Sequence, residues 1–182
     1  MQSLTELHRP RPITNRDQLR HATQAAHTEV EGRWFTFGSF NSRSSYDHWL
    51  SSLYSAHASL GAAAVKASAL RRYAEREAAR RDALMSDLGA SQTDRPEAQP
   101  VSAPWAWGVL YALHGSALGA SILLKSNAVQ PGWPRRYLVE MREFAASGQL
   151  KEFFRALNAA SADVQGMAKG AHAVFDLLAS SE

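Results

Sequence analysis

The 182-residue chain contains no cysteine, which excludes a disulfide framework, a thiolate metal site and a cysteine nucleophile. Any metal ion must therefore be held by nitrogen or oxygen ligands. The segment 1–16 lacks the apolar run of a secretory signal, so we expect a cytoplasmic protein. The formal net charge is only +3, and no basic stripe is interleaved with aromatic residues, which argues against a nucleic-acid-binding protein.

One stretch lacks charge altogether. Residues 98–124 contain no Asp, Glu, Lys or Arg, and this length would cross a bilayer. Its prolines, Pro100 and Pro104, together with His114 and several glycines and serines, make a poor membrane span. We therefore expect a central helix, buried on most sides, and no association with a membrane.

Runs of β-branched residues are also absent, and Ala, Leu, Arg, Glu and Gln dominate. This composition predicts an all-α protein, and the length predicts one domain. We expect a flexible segment over 1–14 and a helical domain over 15–180, with the longest loop at 91–104. The predicted helices span 15–34, 44–67, 69–88, 105–126, 135–146, 149–157 and 162–178. Within the third, residues 71–81 mix arginine and glutamate as a solvated helix face would.

The first predicted helix contains two histidines with different surroundings. A helical wheel places one apolar set together as the core face, namely Leu19, Ala22, Ala26 and Val30. His27 falls at the edge of this face with Glu31 one turn later, within hydrogen-bonding range, whereas His21 points to the opposite, exposed side. Because a metal-ligating imidazole commonly gives its other N–H to a carboxylate, His27 is a candidate ligand. The wheel alone leaves a structural role for His27 open.

The charge-free helix contains two glycines four residues apart, Gly115 and Gly119, each costing about 1 kcal/mol relative to alanine. They share one helix face, and the small residues Ser116 and Ala120 lie beside them. Another helix packed against this strip would explain the missing side chains. A flat ligand lying against exposed backbone would explain them equally well.

Together these two stretches resemble the heme oxygenase family, specifically its bacterial branch. The first-helix pattern L-R-x-A-T-x-x-x-H-x-x-x-E is matched by Leu19, Arg20, Ala22, Thr23, His27 and Glu31. The distal-helix pattern of bacterial members, similar to Y-V-L-E-G-S-x-L-G-G, is matched by Tyr111, Leu113, Gly115, Ser116, Leu118 and Gly119. Weaker similarities cover residues 46–60 and 80–90, so the resemblance spans most of the domain in the family's order.

The resemblance implies a heme oxygenase-like multi-helical fold, with heme between the first helix and the glycine helix. His27 would be the proximal iron ligand and Glu31 would support it, while Arg20 would approach the heme propionates. The residues carried over as catalytic are Gly115, Ser116 and Gly119. The residues carried over as heme-binding are Arg20, Thr23, Glu31, Tyr111, His114, Ala120 and Arg135. Arg136 and Arg155 are further candidates for contacts with propionates or a redox partner.

The activity implied is O2- and electron-dependent cleavage of bound heme to biliverdin, CO and ferrous iron, for iron acquisition or for supplying a bacteriophytochrome with its chromophore. The chain has no dinucleotide or flavin motif, so electrons must come from an external ferredoxin, flavodoxin or reductase. The positive net charge would suit an acidic partner.

His114 departs from the family pattern, because bacterial relatives often have Glu there. It could hydrogen-bond another helix, or it could approach the distal iron, which would favour a non-catalytic heme carrier or sensor. A helical interaction module without heme is the third interpretation, in which the glycine strip is a helix crossing.

Overall fold

The structure is a computed structural model that describes residues 12–34, 40–89, 101–126, 128–161 and 163–180. Within these ranges all regular structure is helical, which confirms the all-α prediction. The α-helices are α1 (Asn15–Trp34), α2 (Arg43–Ala56), α3 (Ala62–Ala64), α4 (Ala74–Leu88), α5 (Ala103–Lys125), α6 (Arg136–Ala146), α7 (Gln149–Ala159) and α8 (Val164–Ser180). A π-helical segment, His57–Gly61, joins α2 to α3, and a 3-10 segment, Ser68–Tyr73, precedes α4.

The observed helix boundaries follow the predicted ones closely. The predicted helix 44–67 is present as α2, the π segment and α3, and the predicted helix 69–88 begins as the 3-10 segment and continues as α4. Gly89 ends α4 with φ 64, the left-handed conformation that glycine adopts without a steric penalty. Most of the predicted flexible segment, residues 1–11, and most of the predicted long loop, residues 91–100, lie outside the described residues.

The long helix α5 packs against α8, α6 and α7. Its crossing with α8 depends on two glycines: a methyl group added to Gly108 would collide with the Met167 carbonyl oxygen, and one added to Gly170 would collide with the Trp105 carbonyl oxygen. The two backbones are thus in direct contact, which only glycine permits.

By length and composition, α5 is the one helix in the described ranges that could cross a membrane, and half of its most apolar window is buried inside the fold. Leu110 and Leu113 are in the core, whereas Leu118 and Ile122 are 51% and 66% exposed. The expected central helix is therefore open along one part of its surface. The cytoplasmic location stays a prediction.

Helix α1 packs on α8 through a stripe that differs in one position from the predicted core face. Leu19 and Val30 are buried and Ala26 is partly buried, as predicted, but Ala22 is exposed. Thr23 takes its place, because its hydroxyl donates to the Leu19 carbonyl oxygen at 2.8 Å and so enters the core with its hydrogen bond made. The observed core stripe is therefore rotated slightly from the predicted one, and His27 remains at its edge.

Candidate functional site

One face of α5 is covered near its start and bare further along. Gly108, Gly115 and Gly119 fall within about 40° of one another around the helix axis. Helix α8 contacts the backbone at Gly108, but no described atom lies within 4 Å of the position that a methyl group would take on Gly115 or Gly119. Exposed Leu118 and Ile122 flank these glycines. We call the surface formed by Gly115, Leu118, Gly119 and Ile122 the bare strip.

Helix α8 leaves α5 and continues along α1. The Phe175 ring of α8 and the His27 ring form a T-shaped pair, with 5.8 Å between ring centroids. Near the end of α1, Trp34 Nε1 donates to the Leu178 carbonyl oxygen at 3.2 Å. Helices α1 and α5 thus each pack on α8.

Helices α1 and α5 approach each other where the side chain of Thr23 interacts with the Tyr111 hydroxyl. His27 lies one turn beyond Thr23, and Gly115 lies one turn beyond Tyr111. The two motifs found in the sequence are therefore neighbours in space at Thr23 and Tyr111.

His27 has the geometry expected of a candidate ligand. Its side chain is 58% exposed, and its Nδ1 atom lies 3.5 Å from Glu31 Oε2, which confirms the predicted pairing. This contact uses Nδ1, so Nε2 is the ring nitrogen left for a ligand. His21 is exposed on the other side of α1, as predicted.

Two more predicted residues lie on α1 and α5. Arg20 is exposed on α1, and its charge acts on the Tyr111 hydroxyl. Burial raises the pKa of Tyr111, and the positive charges of Arg16 and Arg20 act in the opposite direction. Ser116 is half-buried beside Gly115, and its hydroxyl donates to the Leu113 carbonyl oxygen at 2.7 Å.

The structure does not place the remaining predicted residues on the bare strip. Ala120 is buried in the core. Arg135 donates through Nη2 to the Val129 carbonyl oxygen at 2.6 Å, in the loop that precedes α6. Arg136 begins α6, and Arg155 lies in an open groove of about 890 Å³ that α4 and α7 line together. Thus α1 and α5 supply the residues that meet, and α6 and α7 do not.

His114 is fully buried rather than exposed on α5. Its Nε2 atom lies 3.0 Å from Glu77 Oε1 in α4, so the prediction that it hydrogen-bonds another helix is confirmed. The rings of Tyr73, Phe144 and Phe153 surround it. Burial lowers the pKa of His114 to about 4, and the charge of Arg80 acts in the same direction. The ring is therefore neutral at pH 7, with its proton on Nε2 and a bare lone pair on Nδ1.

Glu77 is the centre of a buried polar cluster. It is fully buried and accepts hydrogen bonds from His57 Nδ1 at 2.7 Å, from Arg80 Nη1 and from His114 Nε2. Burial by itself would raise the pKa of Glu77, but the electrostatic effects of His57 and Arg80 and the hydrogen bonds outweigh it and hold the pKa well below its usual value. The carboxylate is therefore ionised and accepts only.

The backbone makes room for this carboxylate. His57 begins the π-helical segment, a local structure that is frequent at functional sites. The same segment ends at Gly61, where an added methyl group would lie 2.6 Å from Glu77 Oε2. The prediction that residues 71–81 form a solvated face is wrong at Glu77 and Arg80, which are both fully buried, because each supplies the other's counter-charge.

The cluster extends back to α5 through α6. His57 Nε2 lies 3.1 Å from the Tyr137 hydroxyl, and that hydroxyl lies 3.4 Å from Ser116 Oγ. Sequence reasoning missed Glu77, His57 and Tyr137, because they come from three elements that share no motif. The one available signal was Gly61 inside a predicted helix, and it did not indicate which side chain would fill the space.

No family model, curated protein or solved structure matches this chain. The functional assignment therefore rests on the motif residues and on the geometry described above.

Proposed function

We propose that this protein is a heme oxygenase of the bacterial type. It would bind heme between α1 and the bare strip of α5 and convert it to biliverdin, CO and ferrous iron with O2 and external electrons. The observation that carries the proposal is the meeting of the two motifs: His27, paired with Glu31 at 3.5 Å, follows the same Thr23–Tyr111 contact that Gly115 follows.

The described residues suit a flat, apolar macrocycle with a central metal. Gly115 and Gly119 remove side chains from a strip of helix so that a ring could approach the backbone. Leu118 and Ile122 add exposed apolar surface beside them, and adjoining exposed apolar side chains commonly mark a binding surface.

Each residue has a distinct part in this proposal. Bound heme would supply an iron centre able to bind O2. His27 would hold the iron through Nε2, and Glu31 would keep the Nδ1 proton in place and fix the ring orientation. Arg20, exposed on the same helix, would pair with a propionate carboxylate. The glycines would present no acid–base side chain at the opposite face.

The other two interpretations have no comparable support. A carrier or sensor with His114 on the iron would need this side chain at the bare strip, whereas it donates to Glu77 inside the core. An interaction module would need the glycine pair to form a helix crossing, and the crossing of α5 with α8 is at Gly108 instead. The external electron donor, the biliverdin acceptor and the cytoplasmic location remain predictions.

Heme titration of the apoprotein tests the proposal. Wild type should form a heme absorption band at a ratio of one heme per chain, and His27→Ala should alter or lose it. Glu31→Gln should weaken heme binding by about tenfold, as loss of a ligand's carboxylate partner commonly does. The matched control is His21→Ala, which removes the other histidine of α1 and should bind as wild type does. Equal heme spectra for His27→Ala and wild type would contradict the ligand assignment.

Turnover is tested on the reconstituted protein by reduction under O2 with catalase present. The heme band should decay to a biliverdin spectrum in wild type and in His21→Ala. Heme that binds through His27 but survives reduction would contradict the enzymatic function and would support a carrier or sensor.

A further inference from the structure

The buried cluster and the bare strip are joined by one continuous set of polar contacts. The order is Glu77 in α4, His57 in the π segment, Tyr137 in α6 and Ser116 in α5, with successive distances of 2.7, 3.1 and 3.4 Å. Glu77, His57 and Tyr137 are at most 1% exposed, whereas Ser116 is half-buried next to Gly115. Four elements thus contribute to a path whose outer end adjoins the strip.

Counting the available protons shows which group donates in each hydrogen bond of this path. Ser116 gives its hydroxyl proton to the Leu113 carbonyl oxygen, so the contact between Tyr137 and Ser116 is a hydrogen bond only when Tyr137 donates. His57 Nδ1 faces the ionised carboxylate of Glu77 and therefore carries a proton. If Tyr137 donates to Ser116, His57 Nε2 must carry a proton as well.

His57 therefore has two states with different consequences at α5. With both ring nitrogens protonated, every contact in the chain is a hydrogen bond. With Nε2 bare, the Tyr137 proton turns to His57, and the contact with Ser116 has no donor. The charged and titratable groups facing His57 are Glu77 and Arg80 from α4, neutral His114 from α5, and Tyr137 from α6. Burial raises the pKa of Tyr137 to about 12, so it stays a hydroxyl that both donates and accepts.

Among the described contacts, Ser116 is the residue at which this path of polar contacts reaches the surface. Glu77 has its remaining contacts with Arg80 and His114, and both are fully buried. A proton that reaches or leaves His57 along these contacts must therefore pass Tyr137 and Ser116.

We propose that Glu77 and His57 hold a proton beneath the bare strip and that Tyr137 passes it to Ser116. On release, the Nε2 proton moves to the Tyr137 oxygen, the phenolic proton moves to Ser116 Oγ, and the Ser116 proton moves to water or a ligand oxygen at the strip. Each oxygen of the path gains one proton and loses one, so one proton leaves His57. The use of this proton in reducing O2 rests on the proposed function.

The path is tested in the apoprotein, where heme has no part. NMR of protein labelled with 15N in histidine rings measures how fast the His57 ring N–H protons exchange with water. Tyr137→Phe should slow this exchange by about tenfold or more relative to wild type, since exchange then requires an opening of the core. Ser116→Ala, which removes the outer hydroxyl and leaves Tyr137 in place, should slow it too.

Tyr46→Phe is the matched control, because the Tyr46 hydroxyl is buried but donates to the Pro134 carbonyl oxygen, outside the path. Exchange of core backbone amides in the same samples corrects for any change in stability. Corrected ring exchange that is unchanged in Tyr137→Phe, or slowed equally in Tyr46→Phe, would overturn the proposal.

A second measurement connects the path to the strip. In reconstituted protein, Tyr137→Phe should lower the turnover rate and move its pH profile while leaving heme affinity unchanged. Turnover with an unaltered rate and pH profile would overturn the link. If no heme binds to wild type, the proposed function fails, but the exchange measurement still tests whether protons reach His57 through Tyr137 and Ser116.

Discussion

His114→Gln should make the stability of the protein less sensitive to acid. Burial, with the charge of Arg80, lowers the pKa of His114 from the usual 6.5 to about 4. Between these two values the unfolded chain binds a proton that the folded protein does not. The free energy of unfolding contributed by this group therefore falls as pH decreases from 6.5 to 4 and is constant above that window. Glutamine removes the titration and keeps an N–H donor for Glu77.

The size of the effect follows from the two pKa values. Between pH 7 and pH 5, the titration of His114 should lower the free energy of unfolding of wild type by about 2 kcal/mol. Glu77 adds to the loss in the same direction but chiefly at lower pH, because its usual pKa is 4.5. All other ionisable groups are the same in both proteins, so their contributions cancel in the comparison.

Urea unfolding of both proteins at pH 7 and pH 5 measures this difference. At pH 7 the variant should be the less stable protein, since glutamine packs poorly within the rings around position 114. The loss between pH 7 and pH 5 should be smaller in the variant by about 2 kcal/mol. His21→Gln, which changes an exposed histidine, should lose as much as wild type. An equal loss in His114→Gln and wild type would refute the reasoning.

Three further changes test the packing by urea or thermal unfolding. Gly108→Ala should destabilise the fold by about 3 kcal/mol, because its methyl group meets the Met167 carbonyl group. Gly119→Ala should raise the free energy of unfolding by about 0.5–1 kcal/mol, because its methyl group meets no described atom and alanine favours the helix; a loss of stability here would contradict an open strip. Asp87→Ala should cost about 1–2 kcal/mol, because the carboxylate accepts from the first two backbone N–H groups of α6 at 2.9 and 2.8 Å.

The sequence was sufficient for features that depend on near neighbours in the chain. The limits of α1, the glycine that ends α4 and the His27–Glu31 pair each follow from residues at most one helical turn apart. The exchange of Ala22 for Thr23 in the core stripe was not predicted, because it depends on whether a hydroxyl can satisfy itself within its own helix.

The buried cluster was beyond sequence reasoning for a related reason. Glu77 and Arg80 stand in an arginine- and glutamate-rich helix whose composition is that of an exposed surface. The burial of Glu77 depends on donors that come from 20 and 37 residues away in the chain, His57 and His114. Charges are removed from water only when such partners surround them, and the partners here come from separate elements.

The glycines of α5 show how one residue type serves two opposite purposes in a single helix. At Gly108 the side chain is missing because the backbone of α8 occupies its place, and direct contact between the helices offsets the cost. At Gly115 and Gly119 the cost is about 1 kcal/mol each relative to alanine, and no described contact offsets it. A packing explanation therefore accounts for the first glycine and not for the other two. Stability alone would favour alanine at both positions, so the proposed ligand at the bare strip is what would offset the cost of these two glycines.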